Sequence, residues 1–75
     1  IMKKNITETI QVESNAIHSA EYQHNVCILK LKFSSGKMYA YSDVAYHVFE
    51  GLRSSESKGK FINQYVLRNH EFKKL

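Results

Sequence analysis

The sequence lacks the features that mark several large classes of protein. It has a single cysteine, Cys27, so no disulfide can form within the chain. No stretch approaches the roughly 20 apolar residues of a membrane-spanning helix. No apolar segment follows the two lysines near the start, so no secretory signal is predicted. These absences favour a cytoplasmic protein that works in a reducing environment and makes no membrane contacts.

Motifs of catalysis and of metal binding are also missing. The four histidines show neither H-E-x-x-H nor another close metal-ligand spacing, so no metal site is predicted. There is no Gly-rich phosphate loop and no nucleophile elbow. Cys27 stands in an apolar stretch, where a thiol is typically an inert core residue. We therefore expect a non-enzymatic protein with no catalytic residues and no cofactor.

The positive charge is concentrated at one end of the chain. The 75 residues are 43% hydrophobic, which is ordinary for one small globular domain. Residues 1–57 contain six basic and six acidic side chains, whereas residues 58–75 contain five basic and one acidic. The whole net charge of +4 therefore lies in the last 18 residues. Such a local positive field attracts polyanions or acidic protein surfaces.

Alternating apolar and polar residues predict strands in the first half of the chain. The predicted strands cover residues 6–12, 16–22, 25–33 and 38–42. The third is the clearest, because Leu29 and Leu31 share one face while Lys30 and Lys32 point to the other. The turn before the fourth strand contains Gly36, which makes this pair a hairpin.

The pattern then changes to helical spacing. Asp43 is a candidate cap for a first helix, and Ser57 for a second. In the second helix the predicted inner face is Phe61, Ile62, Tyr65, Val66 and Asn69, and the predicted outer face is Lys60, Gln64, Leu67 and Arg68. The fold class is therefore α+β: an antiparallel β-meander of three to four strands followed by two C-terminal helices packed on one face.

The face occupied by Tyr39 and Tyr41 depends on the hairpin turn. With a two-residue loop, both tyrosines share a face with Lys30 and Lys32, an arrangement that suits single-stranded nucleic acid. With a three-residue loop the register shifts by one and both rings turn to the core. The two-residue form needs positive φ at two positions, one of them a serine, whereas the three-residue form needs it only at Gly36. The core-facing arrangement is favoured.

The run from Leu29 to Val66 resembles the KTSC domain, a family named for the C-terminal extension of some lysyl-tRNA synthetases. Small stand-alone bacterial and phage proteins also belong to that family. Its pattern has a strand ending in Phe, a turn Gly, Tyr-x-Tyr, Asp-Val and a Ser-x-Gly-aromatic-Phe-Asn segment. The matching positions are Phe33, Gly36, Tyr39, Tyr41, Asp43, Val44, Ser57, Gly59, Phe61, Ile62 and Asn63. Family members usually have proline at the position of Ala45 and phenylalanine at that of Ile62.

The resemblance implies how the chain is organised. The segment "SNAIHSAEY" (14–22) is similar to the family's opening strand. Residues 14–70 then form the KTSC-like domain, residues 1–13 an N-terminal segment with a predicted first strand, and residues 71–75 a basic tail. The resemblance also implies a small α+β fold, and it suggests RNA binding through the family's association with the synthetase.

The first functional hypothesis is a binding module for RNA or another polyanion. Its candidate residues lie on the basic C-terminal helix and tail, with two tyrosines as stacking partners: Lys58, Lys60, Gln64, Arg68, Lys73, Lys74, Tyr39 and Tyr41. The start of the second helix is a candidate phosphate site, formed by Ser55, Ser57 and Gly59. The same residues also fit a solvated helix face and an ordinary serine cap beside a closely packed glycine.

The second hypothesis is a protein-binding adaptor or inhibitor that recognises an acidic partner surface; the family resemblance allows for a phage-encoded protein of this kind. Its apolar anchor would be Leu67, Phe72 and Leu75, which accompany the basic residues. Neither hypothesis specifies the oligomeric state.

Overall fold

The fold is an antiparallel sheet covered on one face by two helices. The computed structural model describes residues 6–75, in which five strands follow the order β1-β2-β3-β4-β5. The strands are β1 (Thr7–Gln11), β2 (Ile17–Gln23), β3 (Ile28–Phe33), β4 (Met38–Tyr41) and β5 (Phe72–Lys74). Helices α1 (Tyr46–Ser54) and α2 (Lys58–Ile62) connect β4 to β5, and α2 runs into a π-helical segment, Asn63–Leu67. The predicted α+β meander with two helices is confirmed.

The fifth strand is the main departure from the predicted topology. Residues 71–75, predicted as a basic tail, contain β5, which pairs with β4 through Tyr41↔Phe72, Ala40↔Lys73 and Tyr39↔Lys74. The exposed edge of β4 offers unpaired backbone groups, and β5 satisfies them. At the other end of the chain, β1 lies within the predicted N-terminal segment 1–13, of which residues 1–5 are outside the described part.

The register places the core on a single face of the sheet. Tyr22 lies opposite Leu29, which in turn lies opposite Tyr41, and all three are buried. The helices cover this row with fully buried side chains, namely Phe49 and Leu52 from α1, Ile62 from α2 and Val66 from the π-helical segment. Burial of these apolar side chains is the main stabilising contribution to the fold.

The hairpin between β3 and β4 settles the orientation of the two tyrosines. Leu31 pairs with Tyr39, the register of the three-residue loop. The Gly36 N–H donates to the Phe33 carbonyl at 2.9 Å, and Gly36 has φ 93°, the left-handed conformation that this loop requires at its last residue. The favoured prediction is confirmed, and Tyr39 and Tyr41 lie on the face opposite Lys30.

Gly36→Ala is expected to destabilise the domain by about 1–2 kcal/mol, because an L-residue is strained at positive φ. No atom lies within 4 Å of the position that a Cβ would take, so backbone strain alone sets the cost. Thermal unfolding should show a Tm lower by roughly 4–8 °C per kcal/mol. Gly36→Asn is the control and should lose less stability than Gly36→Ala, since asparagine tolerates this conformation. Equal stability of the wild type, Gly36→Ala and Gly36→Asn would contradict the assignment of a three-residue loop that ends at Gly36.

Helix starts differ in detail from the predicted caps. Helix α1 begins at Tyr46, its N-cap residue is Ala45, and Asp43 precedes it at φ 54° without capping it. Ser57 does occupy the N-cap position of α2, but its side chain makes no capping hydrogen bond. Instead, the Ser55 hydroxyl accepts from the Ser57 N–H at 3.1 Å. The backbone before α2 is therefore ordered by Ser55 rather than by a classical serine cap.

The π-helical segment rotates the end of the second helical element. Tyr65, predicted on the inner face, is 50% exposed, whereas Leu67, predicted on the outer face, is half-buried against the core. A π-helical turn is wider than an α-helical turn, so residues within the segment do not follow the spacing of an α-helix. The Asn69 side chain donates to the Gln64 carbonyl at 3.3 Å, which satisfies one backbone group at the end of the segment.

Cys27 does not lie in the core. Strand β3 begins at Ile28, and Cys27 occupies the preceding turn, exposed and with φ 54°. Its backbone carbonyl accepts from the Val44 N–H at 2.9 Å, so this turn holds the segment between β4 and α1. The prediction of a buried mid-strand thiol was wrong, because the strand begins three residues later than predicted, just after Cys27.

Candidate functional site

The predicted phosphate site at the start of α2 forms an open groove of about 620 Å³. Its lining combines the β1–β2 loop with the start of α2: Glu13, Ser14, Asn15, Glu56, Ser57, Lys58, Gly59, Lys60 and Asn63. Gly59 permits this close approach, because a Cβ there would lie 2.9 Å from the Ser14 hydroxyl oxygen. Of the three predicted residues, Ser57 and Gly59 line the groove, while Ser55 does not.

The charges in this groove oppose one another. Lys58 and Lys60 share it with Glu13 and Glu56, so the carboxylates offset the attraction for an anion. The Lys58 ammonium donates to the Ser55 carbonyl at 2.9 Å, which gives that lysine a role in the loop. Helix α2 also has only five residues. The groove therefore has an explanation in the fold alone. Gly59 permits the close approach of the β1–β2 loop, and Lys58 orders the connection before α2, so no ligand is needed to account for it.

The predicted basic surface is divided between different faces of the molecule. Lys60, Gln64 and Arg68 are exposed in the helical layer. Lys73 pairs with Ala40 and therefore lies on the sheet face that the helices leave open. Lys74 pairs with Tyr39 and lies on the opposite, helix-covered face. Neighbours in the sequence are thus separated, because side chains alternate along a strand.

A cluster of lysines forms where the β3–β4 hairpin meets β5. Lys32 pairs with Met38, Lys37 precedes it in the chain, and the Leu75 N–H donates to the Met38 carbonyl at 2.9 Å. The register brings four lysines to this end of the sheet, with Lys32 and Lys73 on the open face and Lys37 and Lys74 on the helix-covered face. We call them the corner lysines: Lys32, Lys37, Lys73 and Lys74. Sequence reasoning included only the last two, although the alternation in β3 already placed Lys32 on a polar face.

The acidic groups that form ion pairs lie elsewhere. Glu8 accepts from Arg53 through Oε2 and contacts the His24 ring nitrogen through Oε1, each at 2.6 Å. Arg53 also lies 3.8 Å from Glu50. The hydrogen bond to the Tyr46 hydroxyl raises the pKa of the Arg53 guanidinium. Among residues 6–75, no lysine side chain lies within 4 Å of a carboxylate. No lysine in this range therefore forms a direct ion pair.

The two tyrosines line a second groove, of about 480 Å³. Its walls are mainly aromatic and its rim is polar: Asn15, Ala16, Phe33, Ser34, Ser35, Lys37, Tyr39, Tyr41 and Phe72. Tyr39 is half-buried and Tyr41 is only 5% exposed, so Tyr41 cannot act as an open stacking platform. Burial, followed by the neighbouring Tyr39 phenol, raises the pKa of Tyr41, which keeps its hydroxyl neutral.

The three residues of the predicted apolar anchor differ in their exposure to solvent. Phe72 and Leu75 are 59% and 57% exposed, at the edge strand and just after it. Leu67 is half-buried and packs against the core. An anchor for a protein partner can therefore include the first two residues but not the third.

A family model described as the KTSC domain matches residues 13–70. The chain belongs to the KTSC domain family. A protein of Tsukamurella paurometabola is 44% identical over 55 residues, covering 73% of this chain and 82% of that protein. An uncharacterized protein of Stutzerimonas stutzeri is 31% identical over 61 residues, covering 81% and 86%. The crystal structure of a KTSC domain protein from Yersinia pestis superposes with a TM-score of 0.84 at 23% identity, covering 93% of this chain and 99% of that one.

The KTSC positions have structural explanations in this chain. Gly36 supplies the positive φ of the hairpin, and Gly59 permits the contact with Ser14. Ala45, where family members usually have proline, has φ −63°, the value that a proline ring imposes. These positions maintain the fold and do not by themselves specify a ligand.

Within residues 6–75, no group of three or more histidine, cysteine, aspartate or glutamate side chains is placed to share a metal ion. In the same range, no helix has the length and apolar character needed to cross a bilayer.

Proposed function

We propose that this KTSC domain is a non-enzymatic module that binds single-stranded RNA with little sequence preference. The observation that supports the proposal is the set of lysines that no nearby carboxylate neutralises among the described residues. Uncompensated lysines bind phosphates and release counterions, which gives affinity without reading sequence. The corner lysines lie at one end of the sheet, two on each face, and they form the centre of the proposed interface.

The helical residues Lys60 and Arg68 have a secondary part in this proposal. Both side chains are exposed, as RNA binding requires. They lie in the helical layer, however, on the other side of the sheet from its open face. A flexible single strand of several nucleotides can reach both regions, whereas a rigid duplex would be restricted to one. The predicted contributions of Lys58 and Ser55 are smaller, since hydrogen bonds within the loop already occupy them.

Fluorescence anisotropy of a labelled single-stranded RNA tests the proposal. We expect affinity to fall with salt, and the slope of log K against log salt should change by about 0.7 for each phosphate contact removed. The double variant Lys73→Ala/Lys74→Ala should therefore flatten the slope by roughly 1.4. Lys60→Ala/Arg68→Ala should flatten it less. Gln64→Ala is the control, since it removes an exposed polar side chain without a charge, and its slope should equal that of the unmodified protein.

Two results would overturn the proposal. One is the absence of RNA binding at low salt. The other is binding whose salt dependence is the same in both double variants and in the control, because phosphate contacts through these cations would then not exist.

A second candidate function is protein binding at the edge strand. Phe72 and Leu75 are both more than half exposed, and β5 presents one unpaired edge. A partner strand could pair with that edge and cover both side chains. Binding of this kind should persist at moderate salt and fail in Leu75→Asp, whereas RNA binding should tolerate that substitution far better than the loss of Lys73 and Lys74.

A further inference from the structure

We propose that the aromatic groove beside the hairpin holds one unstacked base of the RNA, with the adjoining phosphate between Lys37 and Lys74. We use the name "aromatic groove" for the cleft walled by Phe33, Tyr39 and Phe72. The inference rests on the proposed RNA binding and adds to it a site that takes a whole nucleotide rather than a phosphate alone.

The arrangement of the rings favours a planar ligand. Phe33 lies 5.5 Å from Tyr39 with an interplanar angle of 80°, and Phe72 lies 5.4 Å from Tyr39 with an angle of 62°. Tyr39 thus stands nearly at right angles to Phe33 and is steeply inclined to Phe72, so both contacts are edge-to-face. Phe72 is 59% exposed and has surface available for stacking. Stacking on an aromatic side chain is available to every base, because every base has a π-face.

The charge around the groove favours an anionic ligand. Lys37 lines it, and Lys74 lies directly across from Tyr39 on the neighbouring strand, where facing Cβ atoms are about 5 Å apart. No acidic side chain is among the residues that line it. The groove at the start of α2 differs on this point, since two glutamates line it. An apolar peptide side chain would fill the aromatic walls but would leave both lysines without a partner.

The rim can satisfy the polar edge of a base. Asn15, Ser34 and Ser35 line the groove and carry groups that both donate and accept hydrogen bonds. Such groups can pair with any of the bases, so the site should show weak base preference. The volume of about 480 Å³ lies in the ordinary range of small-molecule sites.

The test compares RNA with an abasic strand of the same length, using the full chain. Normal RNA should bind more tightly than the abasic strand by roughly 5- to 150-fold, the range expected for one stacked base. Phe72→Ala should weaken binding of normal RNA by a similar factor and leave the salt slope unchanged. Lys37→Ala should instead flatten the slope by about 0.7. Tyr65→Ala is the control, because it removes an aromatic side chain that is 50% exposed but lies outside the groove. It should change neither the affinity for RNA nor the salt slope.

Phe72→Leu keeps the edge strand apolar and removes only the ring, so it separates loss of stacking from loss of folding. If the abasic strand binds as tightly as RNA and both Phe72 variants retain affinity, the base site is wrong while the proposed function stands. If neither strand binds at low salt, the base site and the proposed function both fail. If Phe72 and Leu75 are instead needed for a protein complex that persists in high salt, the groove belongs to a protein interface and the base site is overturned.

Discussion

Phe49→Ala is expected to remove a large part of the free energy of unfolding. Phe49 is fully buried and stacks on Tyr22, with ring centroids 4.9 Å apart and an interplanar angle of 12°. The Arg53 guanidinium carbon lies 5.8 Å from the centroid of the same ring, on the side toward the Glu8 ion pair. Truncation therefore opens a cavity where α1 meets the sheet, and such truncations cost about 3–5 kcal/mol.

This loss is large in relation to the total. At about 0.05–0.15 kcal/mol per residue, a domain of this length has a free energy of unfolding of roughly 4–11 kcal/mol. Chemical denaturation, monitored by tyrosine fluorescence or circular dichroism, should show a much lower midpoint for Phe49→Ala or a protein that is already unfolded in buffer.

Phe72→Ala is the matched control, because it makes the same chemical change at a site that is 59% exposed. Little buried surface is lost there, so a cost below about 1 kcal/mol is expected. Equal losses at the two sites would contradict the assignment of the core to the helix-covered face.

Local sequence features were sufficient for the central part of the fold. The alternation in β3 and the single glycine at the end of the turn determine the hairpin register, since both act over a few residues. That register then determines which face Tyr39 and Tyr41 occupy. The KTSC resemblance, carried by residues spread over most of the chain, was confirmed by the family match.

Features that depend on distant contacts were not predictable in this way. β5 has only three residues, two of them lysines, so its sequence carries no strand signal and its pairing depends on the edge of β4. The wider turn of the π-helical segment moved Leu67 inward and Tyr65 outward, which α-helical spacing cannot anticipate. Charge clustering in the sequence predicted a single basic surface, but strand alternation placed Lys73 and Lys74 on opposite faces.

Individual residues of the candidate site could be predicted from the sequence, but their grouping in space could not. Lys74 and Tyr39 were selected from the sequence, and the structure brings them to the same face as Lys37 and Phe72, whereas Lys73 lies on the other face. Their grouping requires the β4–β5 pairing, which no local pattern showed. Lys37 was not selected, because a lysine beside a turn is typical of solvated loops.

Tyr22→Phe is expected to destabilise the domain although the substitution removes a single oxygen atom. The Tyr22 hydroxyl donates to the Val44 carbonyl at 2.6 Å inside the core, and Tyr22 is only 1% exposed. Phenylalanine would leave that carbonyl buried without a donor, which costs about 1–3 kcal/mol. Tyr65→Phe is the control, since Tyr65 is 50% exposed and its variant should lose almost none of the free energy of unfolding.

The same hydroxyl should make stability depend on pH in the alkaline range. Burial, followed by the influence of the neighbouring Cys27 thiol, raises the pKa of Tyr22 from 10.0 to about 12. The folded state therefore holds the proton more tightly than the unfolded state does. The resulting stabilisation is fully present below the unfolded pKa of 10.0 and is lost as pH rises through the folded pKa of about 12. One pKa unit corresponds to 1.36 kcal/mol, so the total is roughly 2–3 kcal/mol.

The two effects combine in one experiment, in which denaturant unfolding of wild type, Tyr22→Phe and Tyr65→Phe is measured from neutral pH into the alkaline range. At neutral pH the wild type should exceed Tyr22→Phe by about 1–3 kcal/mol. As pH rises above 10.0 the difference should narrow, because Tyr22→Phe lacks the buried phenol that ionises in the wild type. Tyr65→Phe should follow the wild-type curve throughout. Parallel curves for wild type and Tyr22→Phe would show that the Tyr22 proton is held no more tightly in the folded core than in the unfolded chain.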